Sequence, residues 1–234
     1  MLFSIIIPTF NESLNISRTI NHLKKIGFGI EFEIIISDAG SQDNTLEIAK
    51  KLGARVYISD KKGRSGQMNF GVTKGNGEVY YFVHADCLPN KDCFLEIEKA
   101  LKKGFDCGTF LTKFDSRKFI FKINEWCTKI NYLYFRGGDQ TIFITKSLWK
   151  KVGTYNSEMF IMEDYDFLKR LYQFGKFKLI QKPTLVSARK FEKNSYFKVQ
   201  MAFYKIIRMY KNGSNQEAMI STYNKMLDYR VNSF

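Results

Sequence analysis

The sequence predicts an α/β fold: a mostly parallel central sheet flanked by helices, with a helical extension at the C-terminus. Three observations carry this. Short apolar runs alternate with amphipathic segments over residues 1–103, the β-α-β order that builds a parallel sheet with right-handed crossovers. The runs are continuous in their apolar character, as expected where both faces of a sheet are covered. Three of them also lead into acidic, turn-forming loops. Phe3–Ile7 meets Pro8-Thr-Phe-Asn-Glu12, Phe32–Ile36 meets Ser37-Asp-Ala-Gly-Ser41, and Val79–Val83 meets His84-Ala-Asp86.

In chain order, the first strand precedes a helix that Ser13 can cap, with Ile16, Ile20 and Leu23 on one side. The second strand leads to a short helix carrying Leu46, Ile48, Ala49 and Leu52, then a strand over 54–58. A helix over 64–72 is stopped by Gly75-Asn-Gly77, and a helix over 92–103 follows the strand to Val83. The second half is less regular. Strands are expected at 106–112 and 140–145, with an aromatic-rich helical stretch at 117–134 between them. A helix from Glu163 to Phe174 is stopped by Gly175, and two strands at 177–181 and 184–188 close the sheet. From Ser195 the chain reads as helical, broken at Asn212-Gly213, with Ser214-x-x-Glu217 a capping box for the last helix.

A length of 234 residues fits one domain with an appendage and a sizeable core. Three prolines and no low-complexity tract argue against long disordered regions. The net charge of +14 leaves an anionic substrate, an anionic membrane face and nucleic acid open, beside a plain Lys-rich solvated surface. Cys87, Cys93, Cys107 and Cys127 form no C-x-x-C pair and have no His at zinc-finger spacing, which fits reduced, mostly buried thiols in a cytosolic protein. The N-terminus has no basic region of signal-peptide type, and no run of 18 apolar residues exists to span a membrane.

Ligands of open parallel sheets bind outside the carboxyl ends of the strands, so three acidic strand ends propose one shared site. Asp86 suits Mg²⁺ or Mn²⁺ held by few protein ligands plus diphosphate oxygens, or else it starts a turn and caps the next helix. His84, two residues away, assists the metal or phosphates, or is a plain buried histidine. Asp38 can accept hydrogen bonds from a nucleobase or ribose, or form an Asx turn. Asp43 reads as a helix cap. Asp164, Phe167, Leu168 and Leu171 share one helix face, whereas Glu163, Asp166 and Arg170 lie on the other side, the last two spaced for an ion pair. Asp164 thus points inward, as an anchor or a functional acid or base, and the helix N-terminus favours its ionised form, which suits a base.

Lys61-Lys-Gly-Arg-Ser-Gly-Gln-Met-Asn69 can place Arg64 and backbone N–H groups against phosphates, and Arg189-Lys190 is a second candidate clamp; solvated charge is the alternative for both. Neither the P-loop nor the G-x-G-x-x-G spacing occurs, which argues against NAD or FAD. Gly137-Gly-Asp-Gln140 reads as a tight turn, with Asp139 and Gln140 suited to hydroxyl recognition if it faces the site. Over 197–210, apolar residues cover most of a helix with Lys198, Lys205 and Arg208 between them, a pattern for core or dimer packing or for a membrane-surface helix.

These pieces, in this order, resemble the family 2 glycosyltransferases of the GT-A fold. Ser4-Ile-Ile-Ile-Pro-Thr-Phe-Asn-Glu12 and Ser37-Asp-Ala-Gly-Ser-Gln-Asp-Asn-Thr45 look like the family's first two strand–loop units. His84-Ala-Asp86 falls at its D-x-D metal motif, with His84 replacing the first Asp, and Met162-Glu-Asp164 falls at its E-D motif. Gly63–Asn69, Gly138-Asp-Gln140, Ser187–Glu192 and Asn212–Tyr223 are similar to a small soluble subgroup that includes arsenosugar-type transferases.

The resemblance implies metal-dependent, inverting transfer from a nucleoside-diphosphate sugar, UDP-linked, to an acceptor hydroxyl of unknown kind. It assigns Pro8, Thr9, Phe10, Glu12, Asp38, Arg64, Asn69, Ala85 and Arg189 to the nucleotide, and Asp86 with His84 to Mg²⁺ or Mn²⁺. Asp164 becomes the catalytic base, and Gly138, Asp139, Gln140 and Glu163 face sugar or acceptor. Residues 1–105 form the nucleotide half of a domain spanning 1–194, 106–194 its acceptor side, and 195–234 a helical extension packed on it. The implied location is cytoplasmic, with peripheral membrane contact or a homodimer through the C-terminal helices and no nucleic acid. A sugar nucleotidyltransferase is the alternative enzyme, but its Gly-rich N-terminal phosphate loop is missing. A module binding an anionic membrane or nucleic acid leaves the three strand-end carboxylates unexplained.

Overall fold

The isoleucine run of the first strand explains the layering. Phe3, Ile5 and Ile7 enter one hydrophobic core and Ile6 the other, because successive side chains of a strand point to opposite faces. In the computed structural model, which describes residues 1–61, 63–136 and 140–227, the chain runs β1 (Phe3–Thr9), α1 (Ile16–Ile26), β2 (Phe32–Asp38), α2 (Thr45–Lys51), β3 (Arg55–Ile58), α3 (Gly63–Thr73) and β4 (Val79–Phe82). It continues with β5 (Cys87–Leu88), α4 (Cys93–Lys102), β6 (Cys107–Phe114), α5 (Ile120–Thr128), β7 (Ile142–Thr145), α6 (Lys146–Val152), α7 (Glu163–Phe174), β8 (Phe177–Val186), α8 (Tyr196–Lys211) and α9 (Gln216–Met226). One-turn 3-10 helices lie at Leu133–Phe135 and Arg189–Phe191.

The strands form one sheet in the order β3-β2-β1-β4-β7-β6-β8-β5. The first four are mutually parallel, β7 is antiparallel to both β4 and β6, and β8 runs parallel to β6. Strand order reverses between β1 and β4, the place where such sheets open a crevice at their carboxyl ends. On one face, α1 and α4 bury Ile16, Ile20, Leu23, Phe94 and Ile97, joined by Val199, Ala202 and Ile206 of α8 and Met219 and Tyr223 of α9. On the other face, α3, α6 and α7 bury Met68, Trp149, Phe167, Leu168 and Leu171. The inner side of α8 is therefore core, while Phe197, Met201 and Tyr204 stay exposed. Among the described residues no helix is long and apolar enough to cross a membrane.

Several local expectations change. The two strands expected at 177–181 and 184–188 are one strand, β8, whose pairing skips from Ile180 to Pro183. An irregularity there accommodates a proline, which has no N–H for a ladder. Helix α1 starts at Ile16 after Asn15, and α9 is capped by the Asn215 side chain accepting from Ala218 N–H, so neither Ser13 nor Ser214 serves as expected. The short Lys-rich α6 was not foreseen. Cys87, Cys93 and Cys107 are buried, and burial pushes the Cys93 and Cys107 thiols up to about 12.

Candidate functional site

The loops after β1 and β2 are stitched to each other. Asn11 N–H donates to Ser41 Oγ (2.8 Å), Glu12 N–H to Thr45 Oγ1 (2.8 Å), Ser13 N–H to Asp43 Oδ2 (3.1 Å) and Gln42 N–H to Asn11 Oδ1 (2.9 Å). Asn11 holds φ of +54°, in the left-handed region that asparagine tolerates. Asp43 also accepts from Thr45 N–H (3.0 Å), so it braces the first turn of α2 from just before the N-cap, Asn44, and ties the loops. Asp38 is completely buried. It accepts from the Gly40 and Ser41 amides (2.8 and 2.6 Å) and from the Thr9 and Ser41 hydroxyls (2.6 Å each). Its acceptor directions are thus used by the protein, and a ligand bonds it directly only if a hydroxyl turns away. Beneath both loops, the buried Gln67 donates Nε2 to the carbonyls of Thr9 and Ser37 (2.7 Å each). Gln67 was missed; a glutamine inside a buried helix segment was the available signal.

One guanidinium joins the first and third strand ends. Arg189 Nη2 lies 2.8 Å from Asp86 Oδ2 and 3.2 Å from Glu12 Oε1. Burial opposes its charge, but the bonds to Asp86 and Glu12 outweigh that and hold its pKa above the usual arginine value. Arg189 was expected to clamp phosphate; here it engages the carboxylates. It stands between Glu12 and Asp86 as a bound cation would, so this pair suits a positive charge. Among the described residues no three potential ligands cluster, so Mg²⁺ or Mn²⁺ at Asp86 fits with most donors coming from a ligand. His84 is half-buried beside it, and the buried Ala85 offers its carbonyl to Thr19 Oγ1 (2.6 Å). Asn69, expected on the nucleotide, uses its side chain to bond Tyr155 O and N–H (2.8 and 2.9 Å), tying α3 to the 155–157 loop.

The second acidic centre lies at the start of α7. Arg64 Nε donates to Glu163 Oε1 (2.6 Å), and Arg64 Nη2 lies 2.7 Å from Asp164 Oδ2. Arg64, expected against phosphate, is here ion-paired with both carboxylates, and Glu163, expected on the outer helix side, is instead buried under Arg64. Asp164 points inward as expected. The approach to the pair is tightly built. Met162 holds φ of +68°, and Gln216 Oε1 at the start of α9 accepts from Phe160 and Ile161 N–H (3.0 and 3.2 Å). Gly63 has φ of +83°, and a Cβ there would sit 3.0 Å from the Phe160 ring, so glycine opens α3 without strain or crowding.

A cavity of about 650 Å³ extends from this centre. Its lining includes Phe10, Gln67, Arg64 and Asp164, together with Arg136, Gln140, Lys190 and the α8 residues Gln200 and Phe203. Asp86 instead lines a separate cleft of about 40 Å³ with Asn15, Arg18 and Ser187. The adjoining Arg189 and Lys190 link the two places. Gly138 and Asp139 lie outside the described residues. Sequence reasoning missed Arg136 and the share of α8 in the wall.

Comparison with known proteins follows the same lines. The model of Glycosyl transferase family 2 matches residues 4–177. A dolichyl N-acetyl-α-D-glucosaminyl phosphate 3-β-D-2,3-diacetamido-2,3-dideoxy-β-D-glucuronosyltransferase of Methanococcus voltae is 24% identical over 79% of this chain and 65% of its own length. The chain spans 31% to 65% of the length of the first curated relatives it matches. Two solved structures share the fold. Staphylococcus aureus TarS in complex with UDP-GlcNAc has a TM-score of 0.64 and 18% identity, covering 97% of this chain and 71% of that one. The mannosyltransferase PcManGT of Pyrobaculum calidifontis, in complex with GDP-Man and Mn²⁺, has a TM-score of 0.68 and 12% identity, covering 90% and 63%. These neighbours establish the GT-A fold.

Proposed function

The chain belongs to glycosyl transferase family 2, and from that membership we propose that it moves a sugar from a nucleoside-diphosphate sugar, UDP-linked, to an acceptor hydroxyl with inversion at the anomeric carbon. The observation that carries this is the Glu163–Asp164 pair, fixed by Arg64 on the wall of a cavity large enough for a sugar and an acceptor. Asp164 takes the acceptor proton as the acceptor oxygen attacks the anomeric carbon from the face opposite the diphosphate. The bond from that carbon to the diphosphate oxygen breaks, and the nucleoside diphosphate leaves with the electron pair. Arg64 and the N-terminus of α7 favour the carboxylate form of Asp164, as a base requires. Glu163 shares Arg64 and so fixes its fork.

The stitched loops with Phe10 and Glu12, over Thr9 and Pro8, form the nucleoside side, and Asp38 shapes them from beneath. Asp86, with His84 beside it, would hold Mg²⁺ or Mn²⁺, which when bound would neutralise charge on the leaving diphosphate. Arg189, which now holds these two carboxylates, would be at hand to bond the diphosphate. In this reading residues 1–105 are the donor side, 106–194 the acceptor side, and α8 and α9 close the acceptor cavity.

The test is thermal unfolding with UDP, GDP, CDP and ADP, each with and without Mn²⁺, on wild type and Asp86→Ala. A ligand at 100 times its Kd adds about 2.7 kcal/mol, and each kcal/mol moves the midpoint of a domain this size by roughly 2–4 °C. The expected result is a manganese-dependent rise with UDP that disappears in Asp86→Ala. No rise with any nucleotide would overturn the donor site.

A further inference from the structure

Arg136 is a buried cation that meets no carboxylate among the described residues. It is 4% exposed, in the segment between the 3-10 turn at Leu133–Phe135 and β7. Its Nη2 donates to the carbonyls of Thr128 (2.8 Å) and Ile130. Nε and Nη1 are buried and have no hydrogen-bond partner. A guanidinium offers five N–H donors and stays charged; beside these carbonyls the neutral Tyr172 hydroxyl steadies it, which leaves donor capacity and the charge itself uncompensated among the described residues. The half-buried arginines Arg55, Arg64, Arg170 and Arg189 each reach a carboxylate. Arg136, the most buried of these, reaches none among the described residues. A buried charge left in this way is costly, and an arrangement of this kind persists where an oxyanion completes it.

The surroundings narrow the ligand. Gln140 lines the same cavity, is 4% exposed, and its Oε1 also has no partner, so it can accept from a hydroxyl. Phe114, Phe135, Tyr196 and Phe203 supply ring faces to the wall. The catalytic candidate Asp164 lines this cavity as well.

We propose that Arg136 anchors a phosphate or carboxylate of the acceptor, which is therefore a hydroxyl-bearing phosphate ester or organic acid. This rests on the transferase reading for the identity of the ligand as acceptor, but the anion site itself does not. Gln140 orients the hydroxyl, the aromatic wall covers the carbon skeleton, and the anion fixes one end so that the other meets Asp164.

The experiment is calorimetric titration with phenyl phosphate, benzoate and benzyl alcohol, with UDP and Mn²⁺ present so that the donor side is filled. It uses wild type, Arg136→Gln and Gln140→Glu. A hydrogen-bonded charge contact of this kind corresponds to roughly 10- to 100-fold in Kd. We expect phenyl phosphate or benzoate to bind and benzyl alcohol to bind at least 10-fold more weakly. The better of the two anions tells phosphate from carboxylate. Arg136→Gln should weaken the anion at least 10-fold. Gln140→Glu, which adds a negative charge to the same wall and keeps Arg136, should weaken it too, and it decides the matter if Arg136→Gln does not fold. Equal binding of the anions and benzyl alcohol, or anion binding unchanged in the folded variants, overturns the inference. A nucleotide shift with no Arg136-dependent anion binding would sink this inference alone. Anion binding without any nucleotide shift would sink the transferase reading and leave an anion site.

Discussion

The molecule contains the same device twice, two carboxylates around one arginine, in opposite surroundings. At the strand ends, Glu12 and Asp86 hold Arg189 with side chains 21% and 26% exposed. At the start of α7, Glu163 and Asp164 hold Arg64 with side chains 2% and 7% exposed. The first triad is assembled from three loops across more than a hundred residues of chain. The second has two members adjacent on one helix, and Met162, Gln216 and Gly63 brace it. Water reaches the half-buried first triad and screens its pairs in part, so it can exchange its arginine for a ligand more readily than the second. A buried pair that loses its counter-charge leaves an uncompensated ion, so the second stays in place. In the proposed reading the wet triad receives the ligand, and the dry one holds a reacting group still.

That contrast is broken most directly at Asp164. Replacing it with Asn keeps the shape and removes the proposed base, and general-base action contributes typically 10²–10⁴-fold. Asp164→Asn should lower kcat by about that range while the UDP-induced midpoint shift persists. Normal turnover in this variant would show that the dry triad is structural only.

Matched substitutions of the two arginines come next in size. Arg64→Gln strands two buried carboxylates, and because Arg64 is itself about one-third exposed the loss should be a few kcal/mol, toward the low end of what breaking a buried pair costs. Arg189→Gln should change stability by less than about 1 kcal/mol. Its effect should appear in nucleotide affinity instead. Urea midpoints and nucleotide titrations on both variants give the comparison, and equal stability losses would erase the distinction between the triads.

How much of this was legible follows sequence distance. The βα units up to α4 were readable because periodicity and turn residues are local signals, and the inward direction of Asp164 followed from its spacing to Phe167, Leu168 and Leu171. Glu163 defeated the same reasoning. Helix geometry placed it outward, but its cover, Arg64, lies 99 positions away and no local pattern announces it. Arg64 and Arg189 were read as phosphate clamps because basic residues near loops suggest anions, and the structure gives both to carboxylates. Gln67, Arg136 and Gln216 act through backbone carbonyls, amides and cavity walls that exist only after folding. Asp43 reads as a helix cap, but the N-cap is Asn44; Asp43 braces the Thr45 amide one residue earlier, and its bond to Ser13 again requires the neighbouring loop.

Asp43 also offers the gentlest probe of the stitched loops beside the wet triad. Partial burial works against its ionisation, but the Thr45 hydroxyl, Ser13 and the Thr45 amide outweigh it and lower its pKa to about 2. The unfolded carboxyl titrates near 4. A depressed folded pKa means that the contribution is fully present above about pH 4 and is lost as the pH falls toward 2. Wild type should therefore exceed Asp43→Asn in urea midpoint at pH 5 and above, and the gap should close between pH 4 and pH 2. A gap that stays constant across that window would mean that Asp43 acts through shape, not charge. The loops after β1 and β2 would then be held by their neutral hydrogen bonds alone, and acid would leave the proposed nucleoside side of the site standing.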